Sequence, residues 1–288
     1  MIRTLNHVID FIEQHLSEDL TLKMIASEAG VSDYHFRKIF FYLSGTSLSE
    51  YIRLRRLSEA CKDLLGGEKV TDVAFKYGYE SLDGFTRAFK SWCSMLPSEI
   101  NKTKTCTLYQ KLSFSISVTG ANTMEYKIIE KPAFYLAGVT KRVPMQFEGV
   151  NQEIIKLAQS ITAEQRQELH RLQNIEPYKV VNASYEADAH FLREEGELTH
   201  LIGVLTSEQK VGAGLELVAV AAHTWAVFPN HGPFPATLQQ TMANVYAQWL
   251  PSSNYELVDA PSFSWTVMDT QNPGYAHSEI WIAVTLLK

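Results

Sequence analysis

Through roughly the first hundred positions, apolar residues recur at spacings of three and four, the period of a helix with one buried face. Leu5, Val8, Ile9, Ile12 and Leu16 open the pattern, and Ser17-Glu18-Asp19 interrupts it. Thr21 is placed to cap a helix that turns Leu22, Ile25 and Ala26 inward. Gly30 suits the sharp turn that follows, and Ser32 can cap a second helix over 33–42 with Phe36, Ile39 and Phe40 on its core face. A long helix is predicted over 47–65, stopped by Gly66-Gly67. The short helix, turn, short helix pattern then returns. Val70, Val73, Ala74 and Phe75 precede a turn at Gly78, and Ser81 caps a helix over 82–92 with Phe85 and Phe89 inward. Pro97 opens a short final helix. The pattern predicts an all-α domain over 1–104 holding two helix-turn-helix units.

From about residue 124 the period changes to two. Strands are predicted at 124–129, 134–139, 178–184, 200–206, 215–220, 224–228, 263–268 and 279–286. Helices are predicted at 147–159, 163–172 and 237–250, and Pro229-Asn230-His231-Gly232-Pro233 reads as a loop. Each half of this stretch runs strand, helix, more strands. The expected product is an α+β domain over 124–288 with an antiparallel sheet, two pseudo-repeats, helices on one face and a groove or cup on the other. Between the domains, 105–123 is a connecting segment whose alternation at Leu112, Phe114, Ile116 and Val118 predicts a short strand or hairpin.

Composition narrows the function. The net charge of −6 looks wrong for a nucleic-acid binder, but it is unevenly spread. Residues 1–112 carry 15 Lys/Arg against 14 Asp/Glu, and 113–288 carry 11 against 18. Phosphate contact needs only one positive face, and Arg37-Lys38, the Arg53/Arg55/Arg56 group and Arg87 with Lys90 are the local groupings available. The competing reading of Arg53 and Arg56 is ion pairing with Glu50 or Glu59. The competing reading of each unit is an ordinary helix pair with a solvated face. Two units favour promoter DNA, because two helices can enter successive major grooves from one chain. Tyr34, Arg37 and Lys38 on the first recognition helix, and Leu82, Asp83, Thr86, Arg87 and Lys90 on the second, are the candidates for base edges and groove walls. Cys61, Cys93 and Cys106 have no metal spacing and read as reduced thiols of a cytoplasmic protein. No apolar run is long enough to span a membrane.

These residues resemble the AraC/XylS family of transcriptional regulators, in its Rob-like branch. The resemblance is carried by Ile25-Ala26, Ser32, Phe36, Phe40, Gly45, Tyr51-Ile52-Arg53 and Arg56-Leu57 in the first unit. In the second it is carried by Val73-Ala74, Gly78-Tyr79, Phe85, Arg87, Phe89-Lys90 and Pro97. It implies that Tyr34, Arg37 and Lys38 face bases, that Leu82, Asp83, Gly84 and Arg87 occupy reading positions, and that Thr86 sits near a phosphate. It also implies activation, contact with RNA polymerase and binding as a monomer or weak dimer. Ser94 departs from the family, which has glycine there.

In the second domain Glu279 opens a strand whose same face should carry Trp281 and Ala283. If that face lines the cup, a carboxylate among aromatics seeks a cation or a donor, and suits a small apolar or cationic effector. The alternative is an exposed glutamate at a strand start. Tyr126, Trp225, Phe228 and Trp265 are the other candidate ligand contacts, and in any such domain most aromatics are core. This half resembles the GyrI-like small-molecule-binding domains through Ile129–Pro132, Ala137-Gly138-Val139, Ala226-Val227-Phe228 with Gly232-Pro233, Trp249-Leu250-Pro251 and Ser278–Val284. The resemblance implies that Glu279 binds a cationic ligand in a two-repeat sheet. No catalytic residue, cofactor or metal is expected. His223, His231 and His277, with Asp259, Asp269 and Glu279, lack ligand spacing, and no phosphate loop or serine elbow occurs. A hydrolase or a protein-interaction module is the alternative role for this domain.

Overall fold

The structure, a computed structural model, describes residues 2–115, 124–146, 150–187 and 196–287. The chain divides into two compact units, the first holding the described residues up to Ser115 and the second those from Met124 on.

The first unit is helical: α1 (Ile2–Gln14), α2 (Leu22–Ala29), α3 (Asp33–Ser44), α4 (Leu48–Gly66), α5 (Val70–Lys76), α6 (Leu82–Cys93) and α7 (Pro97–Thr103). Three caps fall where the sequence predicts, at Thr21, Ser32 and Ser81, and Ser47 adds a fourth. The Thr21, Ser32, Ser47 and Ser81 hydroxyls accept from the backbone N–H of Met24, His35, Glu50 and Gly84. Gly30 ends α2 at φ 67°. Ser94 ends α6 at φ 61°, a left-handed position that a glycine would occupy without strain. The long α4 contacts α3 on one side and α5, α6 and α7 on the other. Tyr51, Ile52, Leu57, Ala60 and Leu64 along it are buried, so it is the shared spine of both helix-turn-helix motifs.

Residues 105–115 form no strand. They lie along this unit in extended coil, held by side chains that bond their backbone. Asn6 donates to the Phe114 carbonyl (2.9 Å) and accepts from the Phe114 N–H (2.8 Å). The Ser58 hydroxyl accepts from Tyr109 N–H (3.0 Å), the Tyr51 hydroxyl from Leu112 N–H (3.3 Å), and Arg55 donates to the Tyr109 carbonyl. Ile116 and Val118 lie outside the described residues.

The second unit is one antiparallel sheet: β1 (Lys127–Lys131), β2 (Phe134–Pro144), β3 (Val181–Tyr185), β4 (Glu197–Thr206), β5 (Glu216–Val220), β6 (His223–Pro233), β7 (Tyr255–Leu257), β8 (Ser262–Met268) and β9 (Tyr275–Leu286). The order is β1-β6-β9-β8-β3-β4-β2-β5, with β7 on β9. Two halves of equal register make it up. Leu136 of β2 pairs with Val218 and Leu205, as Trp225 of β6 pairs with Ile129 and Ala283. Val181↔Gly203 corresponds to Phe263↔Trp281, and the central β3–β8 ladder reads Val181↔Trp265 and Ala183↔Phe263. A local twofold therefore passes through the Asn182↔Ser264 pair.

Alternation sorts the faces. Ala137, Val139, Ile202 and Val204 pack under α8 (Gln152–Ser160) and α9 (Ala163–Leu172). Phe228 packs on Trp249, in the helix that runs from α10 (Ala236–Asn244) through a π turn (Val245–Trp249). Phe147, expected to open α8, lies outside the described residues. The opposite face carries Phe134, Leu136, Val181, Ala183, Trp225, Val227, Phe263 and Trp281. There Phe134 of β2 meets Trp225 of β6 at 6.0 Å, although four strands separate them in the sheet. The sheet is curled over this face, which is the inside of a cup.

The expected loop at 229–233 is instead the end of β6, paired with Ser278, Glu279, His277, Ala276 and Tyr275 of β9. Pro229 and Pro233 fit there because β1 stops opposite Val227, so beyond that point β6 has one neighbour only.

Candidate functional site

The two recognition helices differ in what they expose. On α6, Leu82, Asp83, Arg87 and Lys90 are exposed and Thr86 is half-buried. Neither Arg87 nor Lys90 has an ion-pair partner among the described residues. On α3, Arg37 is half-buried, but Tyr34 is only 8% exposed and Lys38 only 9%. One helical turn apart, they cover each other: the Lys38 ammonium lies 4.6 Å from the centre of the Tyr34 ring. The spacing that places both on the groove side also lets them fold together.

The arginine group on α4 does not form one positive face. Arg53 is exposed, and Glu50 takes it in a two-pronged bond of 2.7 and 2.6 Å. Arg55 is buried, bonded to Glu13 and Glu59 at 2.7 and 2.8 Å. Arg56 is buried and donates to the carbonyls of Leu16 (2.8 Å) and Glu18 (2.9 Å), tying the α1–α2 connection to α4. Arg53 thus takes the competing reading, an ion pair with Glu50, while Arg55 and Arg56 are internal braces to partners the sequence reading did not name, Glu13 and the Leu16 and Glu18 carbonyls. Tyr51 shares the Glu13 carboxylate (2.7 Å); burial and then that carboxylate raise its hydroxyl above the usual phenol range.

In the cup, β9 presents Glu279, Trp281 and Ala283 on one face, as alternation predicts. Glu279 is half-buried. Its Oε2 accepts from two indoles, Trp265 Nε1 at 2.8 Å and Trp281 Nε1 at 3.0 Å, so three of the predicted ligand residues converge. Its other oxygen makes no hydrogen bond to the described residues. Trp281 stacks on Phe263 (5.4 Å, 16°), and the Lys131 ammonium sits 5.2 Å from its ring centre. What Trp281 contributes is therefore its N–H rather than a free ring face. Lys131 is buried, donates to the Glu176 carbonyl (2.8 Å), and burial pulls its pKa down. Trp225 is fully buried in the floor, and its indole N–H is unpartnered. Phe228 and Tyr126 go elsewhere. They pack edge-on against Trp249 on the helix-bearing face, because Phe228 is out of phase with Trp225 on β6.

Two further residues, Tyr185 and Glu216, border the cup. Tyr185 extends the Val181–Ala183 face, and burial, then Glu216 and Glu186, raise its pKa to about 12. Glu216 stands opposite Gly138, itself paired with Gly203. A Cβ on Gly203 would lie 2.0 Å from the Ala137 carbonyl oxygen, so this patch must stay bare. Spacing predicts no metal ligands, yet His231, His277 and Asp269 bring donor atoms within 4.8 Å of one another. The three come from two paired strands and the end of a third, which no linear motif records.

Two helix-turn-helix units on a common spine in the first unit, and a curled antiparallel sheet in the second, are the architecture of a DNA-binding regulator with a ligand-receiving domain. A family model described as a GyrI-like small molecule binding domain matches residues 124–285, more than half the chain, and a helix-turn-helix domain model matches 25–103. The multiple antibiotic resistance protein MarA of Escherichia coli (strain K12) is 32% identical over 101 residues, 35% of this chain and 80% of that one. The Transposon Tn10 TetD protein of Escherichia coli is 35% identical over 98 residues, 34% of this chain and 71% of that one. The HTH-type transcriptional regulator YbfP of Bacillus subtilis (strain 168) is 38% identical over 96 residues; the match spans 33% of this chain and 32% of that relative. The chain belongs to the AraC/XylS family of sequence-specific DNA-binding regulators, and its second domain to the GyrI-like family, a family of binding domains rather than enzymes. Among the described residues no helix is long and apolar enough to cross a membrane.

Proposed function

We propose that this chain is a one-component transcription factor of the cytoplasm, an activator that binds promoter DNA and meets RNA polymerase there, tuned by a small apolar or cationic molecule in the cup. Arg37, Arg87 and Lys90 supply the positive contacts, with Leu82, Asp83 and Thr86 beside them on α6. Two reading helices in one chain make a monomer or weak dimer sufficient. The effector half rests on one observation: a half-buried carboxylate, braced by two indole N–H groups, with one oxygen left for a guest. A cation there gains charge pairing in a site of reduced dielectric, and the ligand acts by favouring one binding-competent state over another.

Two experiments test this. The full chain is titrated with DNA upstream of its own gene, against scrambled DNA; binding that survives competitor supports the regulator reading. A lipophilic cationic dye is then titrated while tryptophan emission is followed. Glu279→Gln should weaken dye binding at least tenfold while leaving DNA binding intact, and equal dye affinity in both proteins would sink the charge-pairing reading.

A further inference from the structure

We propose that His231, His277 and Asp269 form a binding site for a divalent transition-metal ion of the Zn2+ or Ni2+ class. His231 and His277 are directly opposite each other on β6 and β9, so both imidazoles leave the sheet on the same face. Their rings stack in parallel at 4.0 Å and 16°. Asp269 follows the end of β8, and its Oδ2 lies 3.0 Å from His231 Nε2. The ligand atoms of all three lie within 4.8 Å of one another. A bound zinc ion needs nitrogen and oxygen donors about 2.0–2.2 Å away, which puts the donors roughly 3.3 Å apart. The two histidines are exposed at the sheet end, so their rings are free of packing that would stop them turning out of the stack to aim one nitrogen each at a shared ion.

The carboxylate is already oriented as an outer shell would orient it. Asp269 Oδ1 accepts from the backbone N–H of Gln271 (2.8 Å) and Asn272 (3.2 Å), and Oδ2 from the Asn272 side-chain amide (3.1 Å). These bonds fix its position independently of His231. Two imidazoles and one carboxylate suit borderline metals and leave a coordination position open. Oxygen-seeking Ca2+ or Mg2+ is poorly matched by a site with one carboxylate.

The test uses the full chain. Zn2+ is titrated by calorimetry, and Co2+ by absorption spectroscopy, into the unaltered protein, His231→Ala and His277→Ala. Saturation at one equivalent, weakened at least tenfold in both variants, is expected. Both histidines are exposed, so circular dichroism should show both variants folded. Absence of saturable binding, or unchanged affinity in the two variants, overturns the site.

Discussion

His35 shows how much one enclosed side chain can set. It is 2% exposed, its Nδ1 lies 3.1 Å from the Ser32 hydroxyl, and its Nε2 has no hydrogen-bond partner among the described residues. Burial, then the nearby Lys38 charge, lowers its pKa to about 3. The unfolded chain takes up the proton near pH 6.5, the folded chain does not, so stability falls as pH drops from about 6.5 toward 3 and is unaffected above. The expected slope is about 1.4 kcal/mol per pH unit. His200, lowered to about 4 by burial, acts in the same direction in the second domain. Urea unfolding at pH 7.5 and pH 5 checks this: His35→Gln should lose less stability between the two than the unaltered chain, and equal losses would contradict it. The sequence marked neither histidine. Nor did it show that Arg55 and Arg56 turn inward, because residue type announces a charge but not which neighbour will claim it.

At the scale of elements, α6 and α4 offer unequal positive charge to a DNA backbone. Arg87 is exposed with no ion-pair partner among the described residues, whereas Arg53 is already bound to Glu50. Arg87→Ala should weaken operator binding by about 1–3 kcal/mol if it reads a base; if it meets phosphate, it should flatten the salt dependence by about one unit. Arg53→Ala should cost less than Arg87→Ala in the same gel-shift series. In the sheet, Gly203→Ala sets a methyl against the Ala137 carbonyl and should destabilise the second domain by at least about 2 kcal/mol in chemical unfolding. Helix starts were legible because a hydroxyl before an apolar run caps in only one way. The end of β6 was not, because prolines and a glycine read as a turn unless the missing neighbour strand is known. Glu279 and Trp281 were legible as one face of an alternating strand, whereas Trp265 was legible only as an aromatic without an assigned face. Phe228 and Tyr126 were misplaced, since aromatic content carries no phase.

At the scale of the whole chain, the stretch after the last helix of the first domain is fastened rather than free. Asn6 alone holds both backbone groups of Phe114. Asn6→Ala should speed amide exchange at Phe114 while Tyr109, held by Ser58, keeps its protection; unchanged exchange at Phe114 would show that the contact is not made in solution. Attachment was expected, but as a strand or hairpin; the form it takes escaped the sequence reading because its bonds run from side chains to backbone and leave no periodicity. The duplicated sheet was foreseen only as a repeat of element order, since residue identity between halves is weak while their registers coincide. That coincidence has a further meaning for whatever enters the cup. Relating the halves by their ladders sets Leu201 where the other half has Glu279, and Gly203 where it has Trp281. An undecorated twofold vessel would accept a lopsided guest equally well either way round. Glu279 and Trp281 on one arm, set against Leu201 and Gly203 on the other, break that symmetry, so a guest with unlike ends would be held one way round.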